Sequence, residues 1–81
     1  MKKLNDVIVE RLLKIMGEKD MTQYRLAMQS GVPYPTIKSI MQRRTKDINF
    51  KSLFMLICGL GISIEEFFND EDFKLENLDL D

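Results

Sequence analysis

The side chains with chemistry to offer are mostly cations. Residues 22–51 hold Arg25, Lys38, Arg43, Arg44, Lys46 and Lys51 against Asp47 alone, a local net charge of +5. Guanidinium and ammonium groups gathered in this way bind anions, and a phosphate backbone is the polyanion that matches such a row. The formal net charge of the whole chain, −1, hides this, because residues 63–81 carry eight acids against Lys74. Other chemistry is scarce. There is no histidine and one cysteine, Cys58, so neither an intrachain disulfide nor a cysteine–histidine zinc site can be built. No serine stands in a nucleophile-and-base pattern, and no glycine-rich loop suits a nucleotide phosphate. Catalysis therefore has little support, and no cofactor or metal is expected.

Positioning those cations requires helices, and the sequence spells five of them with no strands. At 81 residues the chain has room for one core. One start signal recurs five times: an apolar residue before a helix cap, paired with a second apolar residue four positions into the helix. Leu4-Asn5 pairs with Val9, Met21-Thr22 with Leu26, Val32-Pro33 with Ile37, Ile48-Asn49 with Leu53, and Ile62-Ser63 with Phe67. Asn5, Thr22, Asn49 and Ser63 are good acceptors for free helix N–H groups. The helices are expected over residues 5–19, 23–30, 34–42, 50–60 and 64–68. The fourth is apolar nearly all round, which predicts a central position with Cys58 as a small core residue. Gly31 should end the second helix, and Gly59 and Gly61 should bracket the turn between the last two.

The second and third helices form the unit of interest. They are joined by a short turn containing Gly31, with Ala27 small enough for close approach and Leu26, Val32, Ile37 and Ile40 as the wedge between them. Tyr34, Pro35, Lys38 and Ser39, then Gln42, are left for the outer face of the third helix, which carries no acid. A helix with such a face suits the major groove of duplex DNA, about 12 Å wide.

At this point the chain resembles a known family. Residues 22–68 are similar to the Cro/cI-type, or Xre-like, helix-turn-helix regulators. The stretch Thr-Gln-x-x-Leu-Ala-x-x-x-Gly-Val-x-x-x-Thr-Ile-x-x-Ile matches the two central helices, and Gly59-Leu60-Gly61-Ile62-Ser63-Ile64-Glu65-Glu66-Phe67-Phe68 resembles the closing segment. The resemblance implies an all-α, compact five-helix, lambda-repressor-like domain over 1–68; it says little about residues 69–81, which their composition makes an acidic tail. It implies that Tyr34, Pro35, Lys38 and Ser39 face base edges. It also implies that Thr22 and Gln23 at the start of the second helix, and Arg43, Arg44 and Lys46 in the loop after the third, contact phosphates. Two departures stand out. Arg43 occupies a position that is often glycine, and Met41 one that is often Glu. The reading face also lacks the Gln, Asn and Arg side chains that pair bidentately with bases, so discrimination should lean on apolar contacts and DNA shape.

The expected function is that of a sequence-specific regulator of transcription, most simply a repressor, bound to double-stranded DNA as a homodimer. A single small module buries only roughly 600–1,000 Å² on DNA, whereas a two-fold dimer reads two half-sites about 34–36 Å apart. Helix five and the tail are the expected dimer surface, because Phe68 and the tail leucines exceed what the core needs; this would also hold the acidic tail away from DNA. Residues 69–81 are otherwise read as a frayed end, or as an arm that packs on its own domain. An alternative is an antitoxin or other protein-interaction module on the same fold, with a protein partner held by the tail. With no effector domain in 81 residues, control would fall to concentration, a partner or proteolysis. The N-terminus lacks the apolar run of a signal peptide, and no apolar stretch reaches roughly 18 residues, so a cytoplasmic protein with no membrane segment is expected.

Overall fold

The computed structural model describes residues 1–80. It contains the five helices: α1 Leu4–Glu18, α2 Gln23–Ser30, α3 Tyr34–Met41, α4 Phe50–Leu60 and α5 Ile64–Phe68. Two 3₁₀ turns follow, at Glu71–Phe73 and Leu75–Asn77. Three of the predicted caps hold their helices as expected. The Thr22 hydroxyl accepts from the Arg25 N–H at 3.1 Å, Asn49 Oδ1 from Ser52 at 3.1 Å, and Ser63 Oγ from Glu66 at 3.0 Å. Each satisfies a backbone donor that the first helical turn leaves without an intrahelical partner.

Asn5 is the exception. It lies inside α1, whose N-cap is Lys3 with no side-chain hydrogen bond. Its amide instead donates to the Thr45 carbonyl at 3.4 Å and to the Lys46 carbonyl. The residue expected to start α1 thus fastens α1 to the loop after α3.

The core is one cluster. Leu12, Leu26, Ile37, Leu56 and Phe67 are completely buried, with Val9, Val32, Ile40, Ile57 and Leu60 almost so. α2 lies across α4, and the two come close together at Gly59. A Cβ built there would stand 2.6 Å from Ser30 Cβ and 2.8 Å from its Cα. Gly59 is therefore the contact point of α4 with α2 and lies within the helix, not at the turn where it was expected. Gly61 alone ends α4, at φ +78°. Cys58 is a second correction, being exposed. α4 carries more apolar residues than one core-facing side can take, and Phe50, Phe54 and Cys58 fall on the side left over.

The tail corrects two expectations, that of no strands and that of a frayed end. Leu78–Asp79 pairs in parallel with Lys2–Lys3 in a two-residue ladder, β1 being Lys2–Lys3 and β2 Leu78–Asp79. Leu78 is buried, and the Phe73 ring packs 5.8 Å from Phe67 and 4.8 Å from Phe68. Arg11 on α1 locks the base of this segment. Its guanidinium donates to the Phe67 and Glu66 carbonyls, both at 2.8 Å, capping the end of α5. Lys2 bridges Glu10 on α1 at 2.8 Å and Asp72 in the tail at 3.3 Å. Hydrogen bonding to Glu10, and then to Asp72, raises the Lys2 pKa above the ordinary lysine value. Phe68 and Leu78, which the sequence left for a second copy, are engaged within the domain.

Candidate nucleic-acid interface

The α2–turn–α3 unit has the predicted wedge: Leu26, Val32, Ile37 and Ile40 are all buried. Gly31 caps α2 in the left-handed region, φ +78°, and its N–H donates to the Ala27 carbonyl at 3.0 Å. A side chain there would be strained, which is why the turn carries glycine. The Ser30 hydroxyl accepts from the Val32 N–H at 3.1 Å and sets the path into α3. Pro35 stands in the first turn of α3, where its missing N–H leaves no helical bond unmade.

α3 buries Ile37, Ile40 and Met41 and leaves Tyr34, Pro35 and Lys38 exposed, with Ser39 half-buried at the edge. These four side chains share the outer side of one short helix. Among the described residues Lys38 has no ion-pair or hydrogen-bond partner. Met41 is buried, so the family-like position that often holds Glu contributes here to the core.

Thr22 and Gln23 sit at the start of α2, Thr22 exposed and Gln23 half-buried. The Thr22 oxygen caps α2 through a lone pair, and its O–H remains a donor. The start of α2 and the start of α3 lie together, because Tyr24 packs edge-on against Tyr34 with ring centroids 6.2 Å apart. Tyr24 was not singled out from the sequence. The available signal was the helix-turn-helix connection itself, which brings the first turns of its two helices side by side.

The loop after α3 departs from its expectation in one detail. Arg43, standing where glycine is frequent, adopts the left-handed conformation glycine would take, φ +59°. Its N–H donates to the Ile40 carbonyl at 3.0 Å and the Arg44 N–H to the Ser39 carbonyl at 2.9 Å, closing the helix as a Schellman motif. Arg43 Nε is paired with Asp6 Oδ1 at 2.9 Å, and Arg44 is held by the Gln42 side chain. Lys46 has no ion-pair partner among the described residues. The three cations are thus in different states: one neutralised by α1, one held by a neutral amide, one unpaired.

A left-handed arginine costs roughly 1–2 kcal/mol relative to a relaxed helical conformation, and the exposed bridge to Asp6 returns at most about 1 kcal/mol. Arg43→Gly should therefore raise stability by about 0.5–1 kcal/mol, and Arg43→Ala, which keeps the strain and loses the bridge, should lower it slightly. Urea unfolding of the two variants checks this; a loss in the glycine variant would mean that the bridge outweighs the strain.

A cleft of about 550 Å³ separates this loop from the chain ends, with Arg43 and Lys46 on one wall and Lys3, Asp79 and Leu80 on the other. Residues 79–80 of the acidic tail thus lie beside the basic loop, contrary to the expectation that the tail is held away from that side. Its Asp79 carboxylate is paired with Lys3 at 2.9 Å. No cluster of His, Cys, Asp or Glu among the described residues could hold a metal ion, and no helix is long and apolar enough to cross a membrane.

A family model for the Cro/C1-type HTH DNA-binding domain matches residues 11–72, most of the chain from α1 through the first 3₁₀ turn. No curated protein and no solved structure matches the chain.

Proposed function

Because the chain belongs to the Cro/C1-type helix-turn-helix DNA-binding family, we propose that it is a sequence-specific regulator of transcription, most simply a repressor, that inserts α3 into the major groove. The observation that carries the proposal is the division of α3: Ile37, Ile40 and Met41 inward, Tyr34, Pro35 and Lys38 outward, and no acid on the helix. In this reading Tyr34, Pro35, Lys38 and Ser39 meet base edges. Thr22 and Gln23 from α2, and Arg43, Arg44 and Lys46 from the loop, meet phosphates on either side and set the register. The role is occupancy of a site on cytoplasmic DNA and involves no catalytic step.

Two copies act together on the DNA, since one module of this size has a small footprint. The surface that supports pairing is α4. Phe50 and Phe54 are exposed one turn apart, 6.4 Å between centroids, and Cys58 continues the row one turn on. α5 and the tail give the pairing less support, because Phe68 packs on Phe73 and Leu78 is buried. For the same reason a protein-docking role through the tail, as in an antitoxin, draws little support from residues 69–80, where Leu75 and Leu80 are the large apolar residues left exposed.

Selection from randomised duplex DNA at near-physiological salt tests the proposal. The expected result is a pair of inverted half-sites about one helical turn apart. Weak binding without enrichment of any sequence would overturn it. The phosphate roles are checked on the selected site: replacing Arg44 and Lys46 together with alanine should weaken all sequences alike and flatten the salt dependence by about two units of slope. An unchanged slope would mean that this loop does not reach the backbone.

A further inference from the structure

Within the proposed reading face lies an apolar feature that the expected contacts use only in part, through Tyr34. Tyr24, on the second residue of α2, is 60 % exposed, and Tyr34, on the first residue of α3, is 44 % exposed. Their rings meet edge to face, 6.2 Å apart and 60° between planes. Together with Met28 they frame a shallow hollow floored by Ala27, Val32 and Pro33. Among the described residues neither phenol hydroxyl makes a hydrogen bond within the protein. Two large exposed rings in contact are held for a reason that core packing does not supply, because neither contributes to the buried cluster.

On the major-groove edges of the bases the apolar group is the 5-methyl of thymine. The reading face around Tyr34 is short of bidentate donors: its next residue is Pro35, which has no N–H. We infer that Tyr24 and Tyr34 act as one aromatic reader of a thymine methyl, Tyr24 being the positioning residue that fixes the ring of Tyr34. Edge-to-face packing suits this role. It fixes one ring by the other's positive rim while leaving an outward apolar surface free. A ring already fixed at the base edge loses no freedom on binding, so the methyl contact is realised in full. The inference rests on the DNA-binding reading and names what that face recognises.

The test uses the selected duplex with each thymine replaced in turn by uracil, which removes the methyl and changes nothing else on the groove edge. In the natural protein one thymine per half-site should be sensitive, with affinity falling about four-fold, as expected for one buried methyl. Tyr24→Ala should bind the thymine and uracil duplexes equally, while Tyr24→Phe, which keeps the ring contact, should restore the difference. Tyr24→Phe should melt as the natural protein does, and Tyr24→Ala, which loses an exposed ring contact and no core packing, should stay fully folded at the temperature of the binding measurement. A selected site whose thymines are all indifferent to uracil, or a Tyr24→Ala protein that keeps the natural discrimination, overturns the inference and leaves the DNA-binding reading standing. Absence of any enriched sequence overturns both.

Discussion

Gly59→Ala should lower the melting temperature by about 10 °C, although alanine is the better helix former. In an open helix the exchange gains up to about 1 kcal/mol. Gly59 is not in the open. The added methyl would meet Ser30 Cβ at 2.6 Å, its Cα at 2.8 Å and its N at 2.9 Å. Those atoms belong to backbone and its first side-chain carbon, so no flexible side-chain end can swing aside. α2 and α4 must separate locally, and overpacking of this kind costs typically 1–3 kcal/mol, occasionally more. Contacts this short with backbone atoms put the cost at the upper end of that range. With the propensity gain subtracted, a net loss of about 2 kcal/mol remains, and a domain of this size shifts by roughly 4–8 °C per kcal/mol. Gly17→Ala is the internal control: nothing lies within 4 Å of a Cβ there, so the same exchange in α1 should be neutral or stabilising. A melting temperature in Gly59→Ala equal to or above that of the natural protein would show that the α2–α4 crossing yields freely. The crossing also bears on recognition. Ser30 ends α2, and its hydroxyl fixes the Val32 N–H that leads into α3. A displaced Ser30 therefore moves the reading helix, and DNA affinity should fall at temperatures where the variant is still folded.

What was legible in the sequence was what neighbours within one turn decide. The caps at Thr22, Asn49 and Ser63 reach donors three residues on, and the spacing alone exposes them. Asn5 has the same chemistry and a similar setting, yet its partners are carbonyls 40 and 41 residues away. Nothing local ranks that pairing above a cap. The inward side of α3 was legible from its period, whereas α4 was not. When nearly every position is apolar the period carries no direction, and only the packed structure shows that Leu53, Leu56, Ile57 and Leu60 point inward while Phe50 and Phe54 do not. The tail's acids masked a few well-placed apolar residues. Phe73 and Leu78 suffice to seat it because Arg11 and Lys2, both distant in sequence, hold the segment down. Tyr24 escaped notice for the same reason as Asn5: its partner, Tyr34, lies across the turn.

Phe54→Glu should separate pairing on DNA from binding to DNA. Phe50 is 66 % exposed and Phe54 44 %. Aromatic side chains bury roughly 150–250 Å² each, so the two leave on the order of 200 Å² of apolar ring surface per chain, about 400 Å² for a pair. A stable interface needs about 1,200–2,000 Å² in total. The rings supply a centre for contact and not enough area to hold two copies together in solution. The chain should therefore sediment as a monomer at micromolar concentration and pair when two half-sites bring the α4 rows within reach, where the shared DNA raises the effective concentration into the millimolar range. A glutamate at position 54 puts a carboxylate in each copy close to its mate's and removes the central ring. Because Phe54 is outside the core cluster, folding should be preserved. Affinity for a duplex with one half-site should change less than two-fold, while affinity for the duplex with two should fall about ten-fold, with the steep binding curve of the natural protein becoming a simple one. Parallel titrations of the two duplexes read the difference directly. Equal losses on both would mean that position 54 faces DNA and not a second copy. An unchanged steep curve would mean that the copies meet elsewhere, and the remaining exposed leucines of the tail, Leu75 and Leu80, would be the next place to put the charge.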